Sequence, residues 1–404
     1  MLNHYTATPS KDGGESRHSL LAKHLSDFGW ETTLIAASVS HPSGKQKLSG
    51  WRLVHREINP DYSAYWVRVP AYEGNGPRRA LGMLGFGMLS IVPGIFAGAK
   101  KPDVVLGSAV HHFAALGAWV LARRHRVPFV FEVRDVWPDV LIDFSKLTEK
   151  SVFTWLIRKV SRFLCREAAM VVSPLPNIAT WVKGLRLESQ KVLWVSNGTD
   201  PSYLPELLPL PPRKPFVFMY LGSFGHINAL EEMVVSFSEF RASYPDLDCQ
   251  LRLVGEGWKK QKVTDLIVAS RVQDSVSIEP GVEKQIAMSD TQTAHCLILP
   301  IKDALTHAKY GISPNKLFDY LLAGRPILFL GEDPSNLVES AGAGVSARLV
   351  DKRAVIEAMR IIASADDDKL RQWGAAGRDL ALREFTFSAL ARKLATGLNE
   401  IANR

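Results

Sequence analysis

Short apolar runs alternate along the chain with longer stretches whose apolar residues recur at helical spacing. In the first half, Thr32–Ser38, Asp103–Gly107, Pro128–Val133, Met170–Ser173 and Val192–Val195 read as buried strands. Ser16–Phe28, Phe113–His125, Ser151–Arg166 and Asn177–Lys183 read as the helices between them. The alternation breaks at Asp200–Pro215, which holds six prolines in sixteen residues and reads as a linker. It then restarts. Phe216–Leu221, Gln250–Val254, Ser275–Ile278, His295–Leu299 and Pro326–Leu330 read as strands, and Leu230–Tyr244, Lys259–Arg271, Pro314–Leu322 and Asp351–Ala365 as helices. Ser388–Ala402 reads as a final amphipathic helix. The pattern predicts an α/β protein of two doubly wound, Rossmann-like domains. Their boundaries are expected at 1–200 and 201–385, with 386–404 packing back on the first domain. Ligands of such sheets lie beyond the carboxyl ends of the strands, so the two domains are expected to face a central cleft.

At 404 residues the chain is long enough for two such domains. Its three cysteines are scattered, without metal spacing, which fits a reducing cytoplasm and argues against zinc. No secretory signal is visible, and only Met1–Tyr5 is available for an opening strand. The charge is lopsided. Residues 1–200 carry 25 Lys and Arg against 16 Asp and Glu, while residues 201–404 carry 24 against 25. An anionic partner is therefore expected on the first half, a membrane surface or lipid phosphate before nucleic acid. A nucleic-acid role is disfavoured because the basic residues do not alternate with aromatics on one face. Two segments are candidates for membrane contact. Ala80–Ala99 is uncharged and flanked by basic pairs, but its five glycines and Pro93 count against a span. It reads as a membrane-dipping helix or a buried one. Ser151–Arg166 reads as a basic amphipathic helix facing either the core or a membrane.

Candidate chemistry sits at three turns of the second half. Gly222, Ser223, Phe224, Gly225 and His226 follow a strand and precede a helix, where backbone N–H groups and a helix dipole suit a diphosphate. Gly255, Glu256 and Gly257 form a similar turn. In Gly311–Pro326, Ser313 is expected to cap a helix opening at Pro314, with Asn315 and Lys316 in its first turn and Asp319 on the same face. A cation opposes the helix dipole there, which makes sense if Lys316 meets a phosphate. In the first half, one of the adjacent pair His111 and His112 is expected in a site.

The order of GSFGH, GEG, SPNKLFDYLLAGRP and the tail helix resembles the retaining glycosyltransferases of family 4, which have the GT-B fold. Asn197–Asp200 is similar to that family's NGxD turn, and Gly13–Gly14 to its GG loop. Phe131–Asp139 (FEVRDVWPD) resembles bacterial O-antigen and capsule transferases of the fucosamine-transferase type. The resemblance implies metal-independent hexosyl or N-acetylhexosaminyl transfer with retention, and no cofactor. The nucleotide-sugar, taken as a UDP-sugar, is a substrate. It implies front-face attack, with the leaving phosphate accepting the acceptor's proton. It places the donor on the three turns, with Lys316 on phosphate and Asp319 on ribose. Gly13, Gly14 and Arg17 are placed on the acceptor. His111, Arg134 and Asp135 join Lys316 as catalytic candidates. The acceptor is expected to be a polyprenyl-diphosphate-linked saccharide for surface polysaccharide, met by a cytoplasmic enzyme peripheral on the inner membrane face. The chain departs from the family at Gly311, where a glutamate is usual, at Ser223 and Asn228, where Arg and Lys are usual, and at Arg134, where a histidine is usual. Two rivals stay open: a GT-B epimerase or hydrolase acting on the donor alone, and a non-catalytic nucleotide-sugar-binding subunit.

Overall fold

The computed structural model describes residues 1–402 except Pro42, Asn75, Ser145, Lys146 and Pro205. The chain forms two compact units, Met1–Ser196 with Phe387–Arg404, and Asn197–Thr386.

In the first unit, Thr32–Ala37 pairs parallel with Tyr62–Val67, which pairs antiparallel with Val54–Ile58. A second group, Val105–Ala109, Phe129–Val133, Met170–Ser173 and Val192–Trp194, is parallel in that order. Leu2 joins the two groups by bridging Ile35 and Gly107. The opening strand is thus reduced to one paired residue at the sheet's centre. The strand order reverses there, so the loops after Leu2 and Ala109 flank a switch point, where open α/β sheets bind ligands. The Val54–Ile58 and Tyr62–Val67 pair was not anticipated from the sequence. Tyr62–Val67 is buried along most of its length, Trp66 included, and Val54–Ile58 is the more exposed edge strand.

The helix Phe387–Ala402 belongs to this unit and packs on Arg17–Leu25. Gly397 lets the helix approach the strand Val192–Trp194, because a Cβ there would lie 2.8 Å from Leu193. Trp30 Nε1 donates to Asn399 Oδ1 at 3.0 Å. The uncharged run Ala80–Ala99 is not one helix. The helix Pro77–Leu89 ends within it, and turns follow to residue 99. No helix among the described residues is long and apolar enough to cross a membrane.

The second unit is a six-stranded parallel sheet in the order Val276–Glu279, Cys249–Val254, Phe216–Leu221, Cys296–Pro300, Ile327–Leu330, Gly344–Ala347. In chain order this is 3-2-1-4-5-6, the Rossmann arrangement, and its switch point lies between Phe216–Leu221 and Cys296–Pro300. The proline-rich stretch 200–215, whose Pro205 lies outside the described residues, is not a free linker. Arg325 Nη2 donates to Leu208 O and Pro209 O at 2.9 and 3.0 Å, and Arg213 Nη2 to Ala365 O at 2.6 Å. Proline removes backbone donors, so guanidinium groups fasten the remaining carbonyls to the unit.

Candidate active site

At the switch point of the second unit, the strand Phe216–Leu221 ends in Gly222, whose φ of 151° is a conformation side chains avoid. Space is tight as well, since a Cβ would meet Lys316 Nζ and Tyr220 Oη, each at 3.1 Å. The helix Asn315–Ala323 carries Lys316 to this turn. Its ammonium donates to Tyr220 Oη at 2.7 Å and to Asn228 Oδ1 at 2.6 Å, and lies 4.3 Å from the Tyr220 ring centroid. Tyr220 Oη in turn donates to Ser223 O at 2.7 Å. Every group holding the lysine is neutral. Burial therefore lowers its pKa to about 7. Asn228 orients this cation through its side-chain oxygen.

The Gly255–Glu256–Gly257 turn stacks on the first turn backbone to backbone. A Cβ on Gly255 would fall 1.8 Å from Gly222 O, and one on Gly257 2.5 Å from Phe224 O. Phe224 N donates to Glu256 O at 2.8 Å. The glycines of GEG are thus explained by packing. Phe224, expected to touch the donor, has its ring fully buried in the core, and only its backbone remains in the turn. Glu256 is exposed and paired with Lys260 at 2.7 Å. Ser223 and His226 are exposed at the same turn, with Gly225 between them half-buried.

The expectation that Ser313 caps the helix and Pro314 opens it is corrected. The helix starts at Asn315, and Pro314 is its N-cap residue. The Ser313 hydroxyl instead accepts from Asn197 N at 3.1 Å, while Asn197 Nδ2 donates to Ser313 O at 2.6 Å. The asparagine–glycine turn thus clamps the loop before the helix.

Asp319 and Lys316 are also not brought to one spot. Asp319 is buried, accepts from Thr199 Oγ1 at 3.0 Å and pairs with Lys284. A carboxylate so occupied positions its helix, and Lys284, 43% exposed, is the group left facing solvent. Gly311 has φ 79°, so a glutamate there would be strained. A different carboxyl stands beside it: Asp333 accepts from the backbone N–H groups of Ile312 and Ser335, and burial raises its pKa to about 6.

In the first unit the candidates divide. Gly13 and Gly14 are exposed, with nothing within 4 Å of a Cβ at either. Packing does not require Gly14. If the loop meets an acceptor as the resemblance implies, Gly14→Ala is expected to leave the melting temperature unchanged while lowering transfer roughly tenfold, about 1.4 kcal/mol of transition-state contact. Parallel melting curves and rate measurements check this, and unchanged transfer removes the loop from the acceptor site.

Arg17 is buried, and each of its three nitrogens is already engaged inside the unit. Its Nε donates to Glu132 Oε1 at 3.1 Å, Nη2 to Val195 O at 2.7 Å, and Nη1 to Ser196 O. It is a buried brace. His18 Nε2 lies 2.6 Å from the other Glu132 oxygen.

His111 is the N-cap residue of His112–His125, its Nδ1 accepting from Ala114 N at 3.4 Å. Its ring packs edge-on to His4 at 4.7 Å. Burial, with help from His112 and Arg79, lowers its pKa to about 3. It is a neutral imidazole at physiological pH, not a charge stabiliser. His112 meets Ser161 Oγ at 2.6 Å, and burial lowers its pKa to about 4.

Arg134 is half-buried just past the strand Phe129–Val133, where its charge reaches Arg17, His18, His41 and Glu132. Asp135 is exposed beside it. His4, Tyr220, Asp333 and Lys284 were missed in the sequence. Tyr220, inside a buried strand, reads as core, and only the position of Lys316 reveals its hydroxyl as a partner.

Residues 12–198 match the family model described as glycosyl transferase 4-like domain. No curated protein sequence matches the chain. Among solved structures, sucrose-phosphate synthase from Thermosynechococcus elongatus is similar at 14% identity and a TM-score of 0.71, over 94% of this chain and 91% of that one. Anabaena Alr3699/HepE in complex with UDP matches at 13% and 0.64, over 99% of each. The lipopolysaccharide outer core galactosyltransferase WaaB matches at 13% and 0.61, over 99% of this chain and 98% of that one. The fold is that of the GT-B glycosyltransferases, along essentially the whole chain.

Proposed function

We propose that this protein is a retaining, metal-independent glycosyltransferase that moves a hexosyl or N-acetylhexosaminyl group from a UDP-sugar to a polyprenyl-diphosphate-linked saccharide of surface polysaccharide. The observation that carries the reading is Lys316, an ammonium held by neutral partners over Gly222 at the switch point of a Rossmann unit. Cleaving a nucleotide-sugar builds negative charge on the departing diphosphate. A cation fixed beforehand, with the free N–H groups of a helix start beside it, stabilises that charge without reorganising. The leaving phosphate accepts the acceptor's proton, so no separate base is needed. The UDP in the Anabaena relative supports the nucleotide, and the lipopolysaccharide substrate in the name of WaaB supports a glycolipid acceptor.

Membrane association is supported by the helix Pro77–Leu89. It packs through glycines: a Cβ on Gly87 would lie 2.7 Å from Phe113 O. Phe86 is buried on the same inner face, while other bulky residues point outward. Leu81, Leu84 and Met88 recur at helical spacing and are 58%, 40% and 59% exposed. A leucine stripe turned outward, behind Arg78 and Arg79, suits the boundary of a bilayer.

A thermal-stability screen of nucleotide-sugars tests the donor. A ligand at 100 times its Kd adds about 2.7 kcal/mol. Stabilisation by a UDP-sugar, followed by transfer to a lipid-linked saccharide with the anomeric configuration kept, is the expected result. Donor turnover with no acceptor present would instead indicate an epimerase or hydrolase, and binding without any turnover a sensor.

A further inference from the structure

The helix Val152–Glu167 exposes apolar side chains in its first turns. It buries Thr154, Ile157, Ser161, Leu164 and Cys165 and leaves Phe153, Trp155 and Leu156 each about half exposed, at 50%, 55% and 50%. Three large apolar side chains thus face outward beside an inner face that already holds Ile157 and Leu164. The helix His112–His125 touches both this helix and the outward-facing Pro77–Leu89.

Beside Trp155 is a cavity of about 300 Å³. The helix lines it with Trp155, Arg158, Lys159 and Arg162, and the turn after Ile178–Gly184 adds Arg186. Arg186 has φ 58°, a left-handed conformation uncommon for a side chain. Arg158 is fixed by Asp139 at 3.0 Å and by Glu149 at 2.6 Å. Lys159 Nζ lies 3.9 Å from the Trp155 ring centroid. Arg162 and Arg186 form no ion pair among the described residues. Four cations thus meet Glu149 and Asp139, which leaves a surplus of two positive charges.

We propose that this cavity takes the phosphate of an anionic phospholipid headgroup while Phe153, Trp155 and Leu156 enter the adjoining acyl boundary. The inference rests on the membrane reading above and adds a discrete headgroup site to it. The volume is at the small end for ligand pockets, enough for a glycerol phosphate and too small for acyl chains. The chains are then left to the exposed apolar residues alongside. Indole rings favour this depth of a bilayer, with cations at the phosphates. An acidic protein would match the charges but would leave three large apolar side chains without a reason to be outside.

The test is flotation of the full chain with vesicles of phosphatidylcholine alone, and of phosphatidylcholine mixed with phosphatidylglycerol. The wild type is expected to float with the mixed vesicles and release as salt rises. Arg162→Gln with Arg186→Gln is expected to lower partitioning about 30-fold, the loss of two attractions to surface phosphate. The control pair Lys45→Gln with Arg52→Gln, which removes exposed cations of the same unit, should change it far less. The thermal shift given by the donor should be the same in all variants, which shows that they are folded. If the wild type does not float with mixed vesicles, the membrane reading and this site fall together while the donor reading stands. If the wild type floats and the pocket pair floats equally, or the control pair loses as much, the headgroup site alone is overturned.

Discussion

Replacing Lys316 with alanine is expected to lower turnover 100-fold or more, the scale of losing one fixed stabiliser of developing charge. The lysine is costly to keep where it is. Its neighbours are a phenol, an amide and an aromatic ring, none of which repays the desolvation of an ammonium. Its pKa of about 7 measures that imbalance. A bound diphosphate supplies the missing charge and must raise the pKa. Below pH 7 the lysine is charged both free and bound, and donor affinity is at its full value. Above pH 7 binding takes up a proton, so affinity falls by up to tenfold per pH unit until the bound-state value is reached. Lys316→Ala should abolish this slope as well as the rate, whereas Lys316→Arg keeps a charge that no longer titrates. Calorimetry in two buffers of different ionisation enthalpy reads the proton directly. Near-wild-type turnover in the alanine variant would remove Lys316 from the mechanism, and an unchanged pH slope would assign the proton to another group.

Much of this was legible in the sequence because two periodicities and the punctuation agreed. Ten parallel strands were found within one or two residues, since buried parallel strands are short apolar runs, while the parallel strands Tyr62–Val67 and Gly344–Ala347 were not. Lys316 stood out as a cation in the first turn of a helix, where the dipole disfavours it. What stayed hidden depends on contacts far apart in the chain. Asp319 reads as a ligand-facing carboxylate until Thr199 and Lys284 are seen to occupy it. The glycines of GEG read as ligand contacts because their real partner, the backbone of Gly222–Phe224, is more than thirty residues away. Gly311 reads as a lost glutamate, but its positive φ shows that the backbone itself differs there. The outward stripe on Pro77–Leu89 had the composition of a buried helix, and only its glycine contacts with Phe113 show which face is inside.

The brace around Glu132 is the clearest case, and it carries the largest expected effect on stability. A glutamate at the fourth position of the buried strand Phe129–Val133 has no place without a partner. The partners are Arg17 and His18, neighbours on a helix more than a hundred residues earlier. Arg17 and His18 hold the Glu132 carboxyl well below its usual range in spite of burial. The His18 pKa is lowered chiefly by burial, against the opposing pull of the Glu132 carboxylate. Glu132→Ala would strand the Arg17 guanidinium in the interior. The expected cost is about 3–5 kcal/mol, against less for Glu132→Gln, whose amide oxygen can still accept. That corresponds to roughly 6–20 °C in the melting temperature of a unit this size. The pH signs agree for both groups. A lowered histidine pKa gives stability that is present above the unfolded value of about 6.5 and is lost on acidification. A lowered glutamate pKa does the same from about 4.5 downward. The wild type should therefore lose stability in two successive stages as pH falls, and Glu132→Ala should lack the second. Calorimetric melts across pH 3–8 check this. A melting temperature in Glu132→Ala equal to that of the wild type would show that Arg17 is not left as an uncompensated buried charge.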